Sequence, residues 1–292
     1  MKLIDVSEYK VTSKIAIEET KTYIDLLADK DAIEEALEGT REKLGDLQDT
    51  LYAHGKYAVL VCLQGMDAAG KDSLIREVFK DFNARGVVVH SFKVPTDLEK
   101  KHDYLWRHYI ALPSRGKFGV FNRTHYENVL VTRVHPEYIM GENLPHVNSV
   151  SEVDSKFWDA RFEQINNFEK TIADNGTIIF KFFLNLSKDE QKHRQLRRLR
   201  KPSKNWKFSA GDLDERDLWS DYMRCYEDIL NRTSKAHAPW YIIPSDDKPS
   251  ARLTVASIML QELQKYNDIK EPELDDKVKA RIDEFIARLE KE

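Results

Sequence analysis

The sequence predicts an α/β fold in which a parallel sheet is flanked by helices on both faces and carries a helical lid over one end. Three observations predict it. A continuous apolar run from Tyr57 to Leu63, within YAVLVCLQG, ends in a glycine-rich turn; strand-like runs then alternate with amphipathic stretches; and more than fifty residues separate the last two strand-like runs. An unalternating apolar run rich in β-branched residues reads as a strand buried on both faces. Strands alternating with helices imply a parallel sheet covered on both sides. A long insertion over the strand ends is a natural lid.

Each element follows in order. The first fifty residues are acidic, with Ile15, Ile17, Tyr23, Ile24, Leu26 and Leu27 among many Glu and Lys, which predicts helical arms. After the first strand, Leu74, Ile75, Val78, Phe79 and Phe82 have helical spacing from Asp72 to Arg85, with Gly86 as a C-terminal stop. Val87 to Val94 reads as the second strand, Leu98 to Ala111 as a helix, Lys117 to Phe121 as a short strand, and a further helix opens near Tyr126. Ser155 to Asp174 is a helix, Thr177 to Leu186 a strand and Trp240 to Pro244 the last strand, with helical stretches between those two strands that include Asp212 to Arg232. The expected organisation is an N-terminal helical arm (1–54), a core (55–250) whose lid spans about 187–233, and C-terminal helices (251–292).

Composition narrows the class. The 292 residues exceed an ordinary domain of ~100–200, a length that a single α/β core with helical additions reaches. Apolar residues at 41% supply a core, and charged residues at 33% a well-solvated surface, so membrane and disordered classes fit poorly. Two cysteines, Cys62 and Cys225, give no disulfide framework. No apolar leader follows Met1 and no run reaches the ~18 apolar residues of a membrane span, so a cytoplasmic location is expected. With a net charge of −4 the whole molecule is no general polyanion binder. An anionic substrate needs a local concentration of cations.

Gly65-Met66-Asp67-Ala68-Ala69-Gly70-Lys71-Asp72 follows the first strand and precedes a helix, the context that a phosphate-binding P-loop requires. Its small residues let backbone N–H groups approach phosphate oxygens, the helix N-terminus adds its positive end, and Lys71 brings a mobile cation. Asp72 stands where Ser or Thr is usual, and Asp67 sits inside the loop. Two carboxylates beside a phosphate cradle repel the ligand unless a cation lies between them, and hard oxygen ligands near phosphate favour Mg²⁺. Asp67 is the first metal-ligand candidate. Asp72 is either a second or an acid favoured by the helix N-terminus, worth ~0.3–1 kcal/mol.

Together with GMDAAGKD, the segments FKVPT (Phe92 to Thr96), HDYLWR (His102 to Arg107), FNRTHYENVLVTRV (Phe121 to Val134) and NWKFS (Asn205 to Ser209) occur in an order that resembles the polyphosphate kinase 2 family over about residues 55 to 245. The resemblance implies a thymidylate-kinase-like P-loop core with a helical lid and Mg²⁺, with Mn²⁺ as a substitute. It also implies reversible phosphoryl transfer between inorganic polyphosphate and purine nucleotides, AMP and ADP with GMP and GDP as further acceptors. By resemblance Asp67 and Lys71 are catalytic, Arg123 faces the transferred phosphate and Arg133 is a phosphate contact. Many relatives have Asp at the position of Asn122, whose amide oxygen can bind Mg²⁺ but brings no charge. The Phe-Asn-Arg form with Tyr126-Glu127 resembles the class III subgroup, associated with accepting both mono- and diphosphates. Glu127 is then near the acceptor phosphate, or else a first-turn acid favoured by the helix dipole. A homo-oligomer is expected.

Between His193 and Lys207 lie Arg194, Arg197, Arg198, Arg200, Lys201, Lys204 and Lys207 with no acid. On a helix Arg194, Arg197, Arg198 and Lys201 share one face, and a row of cations at that pitch suits a linear polyanion better than a mononucleotide. The alternative is a solvated or RNA-binding helix. No aromatic platform interleaves those cations, so nucleic acid is not an expected partner. His125 is expected to be a satisfied structural histidine, Trp106 and Trp158 packing residues, and Trp206 either a border of the acceptor base or an ordinary buried aromatic. An ATP-dependent nucleoside or nucleoside monophosphate kinase is the alternative enzyme, and a P-loop nucleic-acid-binding protein the alternative without catalysis.

Overall fold

The computed structural model describes residues 4–291. Its strands are β1 (Ala58–Gln64), β2 (Val87–Ser91), β3 (Phe118–Asn122), β4 (Thr177–Asn185) and β5 (Trp240–Pro244). They form one sheet in the order β2-β3-β1-β4-β5, with every neighbouring pair parallel. All seven residues of β1 are buried, as its unalternating apolar run predicts. Val59 pairs with Phe118 on one side and Ile178 on the other, which centres β1 and opens its carboxyl end between two flanking strands. That is where open α/β sheets bind ligands.

One face of the sheet is covered by α1 (Lys30–His54), α2 (Lys71–Val78) and α9 (Lys248–Leu263). The Asp29 carboxylate caps α1 by accepting from the Ala32 N–H at 2.8 Å, and Gly55 ends it in the left-handed region at φ 68°. Ile33, Leu37, Leu44 and Leu51 line its inner stripe and pack in one cluster with Val59, Val61 and residues of α9. Leu44 has no exposed surface, so Leu44→Ala should cost about 2–5 kcal/mol. The opposite face is covered by α5 (Ser155–Asp174) and α8 (Trp219–Thr233), where Phe162, Ile165, Tyr226 and Ile229 meet Phe183 and Trp240. Between β4 and β5 stand α6 (Lys188–Arg200), α7 (Gly211–Asp217) and α8.

Several expectations are corrected. The first fifty residues are helical only from Lys30: Val6–Glu8 and Ile17–Glu19 are single 3₁₀ turns. Around Lys10 the chain pairs antiparallel with Tyr241 on the outer edge of β5. The helix after the P-loop ends at Val78, well short of Arg85, and Gly86 is no helix stop. A Cβ there would lie 1.7 Å from the Gln48 side-chain amide, so glycine makes room for that amide of α1. The second strand ends at Ser91 and not at Val94.

The helix expected over Leu98 to Ala111 is reduced to a 3₁₀ turn and the four-residue α3 (Trp106–Tyr109), because the Asp103 carboxylate captures the Leu105 N–H at 2.9 Å. Near Tyr126 the chain forms a 3₁₀ turn, His125–Val129, before the one-turn α4 (Val131–Val134). The stretch from Asp212 to Arg232 breaks at Leu218 into α7 and α8. The boundary expected near residue 250 falls inside α9, and Ile4, α1 and α9 share one core cluster with β1.

Candidate active site

The phosphate loop leaves β1 at Gly65 and enters α2 at Lys71. A Cβ at Gly65 would lie 2.9 Å from the Leu184 carbonyl of β4, so only glycine lets the loop turn against the neighbouring strand. Gly70 has φ 110° and Ala68 φ 62°. The first costs glycine little, while the second is strain of order 1 kcal/mol that the surroundings must hold. The Lys71 ammonium curls onto the loop, donating to the carbonyls of Gly65 (2.6 Å) and Met66 (3.3 Å). Burial pushes it down to about 8, the Arg123 guanidinium adds to that, and Glu127, Asp67 and Asp72 oppose it.

The ends of β3 and α6 complete the walls. Arg123 sits at φ 60°, a non-glycine residue in the left-handed region, and reaches Glu127 at 3.4 Å. Gln64 donates to both Thr124 (3.1 Å) and Glu127 (3.0 Å), tying the end of β1 to that turn. Asn122 donates to Asp72 at 2.6 Å, while its buried Oδ1 has no partner among the described residues. From α6, Arg198 pairs with Asp67 at 2.7 Å and approaches Asp212 at 3.5 Å.

The resulting cavity of about 570 Å³ is lined by ten cationic side chains against two carboxylates, Asp67 and Asp72. In a protein of net charge −4 this is the local concentration that an anionic ligand needs. Lys204 of the predicted basic run belongs to it, and so do Arg76, Lys93, Lys248 and Arg252, which the sequence reading did not single out. Lys248 and Arg252 carried one legible signal: Asp247 caps a helix that starts directly after β5, at the same edge of the sheet as the P-loop. Burial, then Arg194, Arg197, Arg252 and Lys204, push the Lys248 ammonium down to about 8.

The predicted site residues divide. The loop from Asp67 to Asp72, Asn122, Arg123, Arg197 and Arg198 line the cavity; Gly65 and Met66 lie outside its lining and hold the Lys71 ammonium through their carbonyls, and Glu127, also outside it, pairs with Arg123. Arg194 lines it too but is not free to bind a ligand. It donates through Nε to Glu190 (2.7 Å) and through its terminal nitrogens to the carbonyls of Ala68, Ala69, Ser245 and Asp246 (2.6–3.0 Å). A guanidinium has five N–H donors, and all five are engaged. Arg194 is a strut between the P-loop and the β5–α9 turn.

Lys201 lies past the end of α6, exposed and outside the cavity, so the predicted four-cation face does not exist as such. Arg133 is also outside: it pairs with Asp228 at 2.7 Å and lies 5.7 Å from the Phe162 ring centroid, clamping α4 to α5 and α8. Trp206 is 78% exposed and not a buried aromatic. The side chain of Lys207 lies outside the described residues. A larger cleft of about 1010 Å³ runs from Lys100 to the start of α5, but it mixes acids with bases and contains no P-loop residue.

Among the described residues no three His, Cys, Asp or Glu side chains form a metal-binding cluster. The donors near the loop are the carboxylates of Asp67 and Asp72 and the unpartnered Asn122 Oδ1. A few oxygen donors, leaving most positions to water and phosphate, fit Mg²⁺. They would not fit a metal that requires a closed protein cage.

A cavity of this charge, at the carboxyl edge of a parallel sheet and floored by a glycine loop with its lysine, places the protein in the class of P-loop kinases. The family described as polyphosphate kinase 2 (PPK2) matches residues 27–271. The chain is 48% identical over 235 residues to the ADP-polyphosphate phosphotransferase of Rhodopseudomonas palustris, covering 80% of each chain. It is 45% identical over 235 residues to the AMP/ADP-polyphosphate phosphotransferase of Meiothermus ruber, covering 80% of this chain and 82% of that one. The crystal structure of polyphosphate kinase 2 from Arthrobacter aurescens TC1 superposes with a TM-score of 0.87 at 34% identity, covering 97% of this chain and 99% of that one. The chain belongs to the polyphosphate kinase 2 family and is an enzyme of the polyphosphate kinase type. No helix among the described residues is long and apolar enough to cross a membrane.

Proposed function

We propose that this enzyme transfers phosphoryl groups from inorganic polyphosphate to AMP and ADP, reversibly and with Mg²⁺. The observation that carries the reading is the cation-lined cavity, where burial and then the neighbouring Arg194, Arg197, Arg252 and Lys204 lower Lys248 to about 8. A mononucleotide can engage two or three such cations; a condensed phosphate chain can engage many more of them, Arg194 excepted. The activities for which the two relatives above are named support the donor and both acceptors.

The residues divide the work as follows. Phosphoryl transfer needs alignment and stabilisation of charge on the equatorial oxygens more than covalent help. Lys71 swings from the Gly65 and Met66 carbonyls to the transferred group, and Arg123, preset by its constrained backbone, faces it from β3. Asp67, Asp72 and Asn122 Oδ1 would hold Mg²⁺, which supplies positive charge to the phosphate oxygens when bound. The donor's charge competes with Asp67 for Arg198, so donor entry frees that carboxylate and recruits the guanidinium. The acceptor phosphate is already ionised at neutral pH, and no general base is required. Residues from about 187 to 233 act as the lid that holds the donor in line and excludes water. Glu127 borders the acceptor, where Asn122 in place of an acid makes the cradle less repulsive to one or two phosphates. A cytoplasmic location and a homo-oligomeric state complete the reading, and light scattering tests the latter.

The direct test supplies ³²P-labelled long-chain polyphosphate with AMP or ADP and Mg²⁺, without any nucleoside triphosphate. Label should appear in ADP and ATP. No label transfer from polyphosphate, with AMP or ADP phosphorylated only once unlabelled ATP or another nucleoside triphosphate is added, would instead make the enzyme an NTP-dependent nucleotide kinase.

A further inference from the structure

Beneath the catalytic turn lies a charged network that the chemistry does not use. Lys181 of β4, Glu169 of α5, and His125 and Tyr126 of the turn after β3 all have no exposed surface. The Lys181 ammonium donates to Glu169 (2.6 Å), the Tyr126 hydroxyl (2.8 Å) and the Thr233 carbonyl at the end of α8 (2.8 Å), which exhausts its three donors. The Tyr126 hydroxyl donates in turn to Glu169 at 2.7 Å, and His125 Nε2 lies 3.0 Å from the same carboxylate oxygen. Burial pushes the His125 imidazole down, so it is neutral and Nε2–H is the donor. Burial pushes the Glu169 carboxyl up, but Lys181 and His125 outweigh it and keep it ionised.

Such a pair is a poor way to stabilise a fold, because apolar residues of similar volume in the same place are often as good or better. Its placement explains it. His125 and Tyr126 lie between Arg123, whose backbone is held at φ 60°, and Glu127. The β3 ladder fixes the chain just before Arg123, and the network fixes it just after. Thr233 ends α8, the helix that returns from the lid and carries Tyr226 close to both Glu127 and Arg123.

We infer that the buried Lys181–Glu169 pair is a positioning device: through His125 and Tyr126 it sets Arg123 and Glu127, and through Thr233 it ties their placement to the lid's return helix. The inference rests on the polyphosphate-transfer reading for its assay. Two variants test it. Lys181→Met/Glu169→Leu replaces the pair by apolar side chains, and Tyr126→Phe removes one hydroxyl and leaves both charges in place. The double variant strands the Tyr126 hydroxyl, the His125 N–H and the Thr233 carbonyl and should unfold at lower urea than the wild type, and under conditions where it is fully folded it should lose at least tenfold in kcat with less than threefold change in the KM for polyphosphate. Tyr126→Phe, which keeps the fold if the double variant does not, should lose about threefold or more in kcat.

The decisive measurement is a double-mutant cycle with Arg123→Ala. Because the network acts through Arg123, either variant should lower kcat much less in that background than in the wild type. Full additivity, or unchanged kcat in a stably folded double variant, overturns the inference while wild-type transfer still stands. Absence of transfer in the wild type itself removes the functional reading instead.

Discussion

Replacing Lys71 with Met should move activity and stability in opposite directions, and the second effect should depend on pH. The ordinary lysine value of 10.5 falls to about 8 in the folded protein, and that gap corresponds to about 3 kcal/mol. The sign follows from linkage. Below about pH 8 both folded and unfolded chains hold the proton, and the folded state bears the full penalty of a desolvated ammonium. Between about 8 and 10.5 the folded protein sheds it while the unfolded chain keeps it, so wild-type stability rises with pH relative to a variant that cannot titrate. Urea unfolding of both proteins from pH 7 to 10.5 should show the variant's relative advantage shrinking by about 3 kcal/mol across that window. The lost hydrogen bonds to Gly65 and Met66 displace the whole curve without changing its slope. At pH 7 turnover should fall at least about a hundredfold, or ~2.7 kcal/mol of barrier. A stability difference that stays flat with pH would refute the assigned environment of Lys71, and near-wild-type turnover would refute its role.

The donor affinity of the wild type should weaken as pH rises through about 8, because Lys71 and Lys248 both lose their charge there; Lys248→Met should flatten that limb in the pH profile of kcat/KM. Arg197→Met should leave unfolding within about 0.5 kcal/mol of wild type and lessen the salt dependence of the polyphosphate KM. Arg194→Met, which strands four carbonyls at the P-loop and the β5–α9 turn, should instead destabilise by at least about 2 kcal/mol. Identical behaviour of the two arginine variants in both assays would undo the distinction between ligand contact and strut. Glu127→Asn should penalise AMP and ADP unequally, by about 1 kcal/mol or more in kcat/KM; equal effects would remove Glu127 from acceptor selection.

The sequence carried the inner sheet and the phosphate loop because their signals are local. β1 and β4 are apolar runs bounded by turns, and α5 begins and ends at the predicted Ser155 and Asp174. The failures have physical causes that act at a distance or compete locally. Arg194 looked like its neighbours because the carbonyls that consume it come from residues 68–69 and 245–246, remote in the chain. Helical spacing before residue 30 was misleading because Tyr9 and Val11 hydrogen-bond to β5 through their backbones, and Asp25 captures the Leu27 N–H at 2.8 Å. Arg133 matched a motif, but a cation beside Asp228 and two aromatic rings serves packing as readily as phosphate binding.

The segment around Lys10 has a practical side. β5 is the outermost strand of the sheet, and the Val11 N–H and Tyr9 carbonyl pair with Trp240 and Ile242 at 2.9 and 2.8 Å. A fragment trimmed to the family-matched residues 27–271 would retain the whole cradle yet uncover a row of backbone donors and acceptors beside Trp240 and Tyr241. Bare strands of that kind invite edge-to-edge pairing between molecules. For anyone shortening, tagging or permuting this enzyme, a cut at the edge of the homologous region therefore sacrifices Tyr9 and Val11, which cover β5, and the buried Ile4 and Val6.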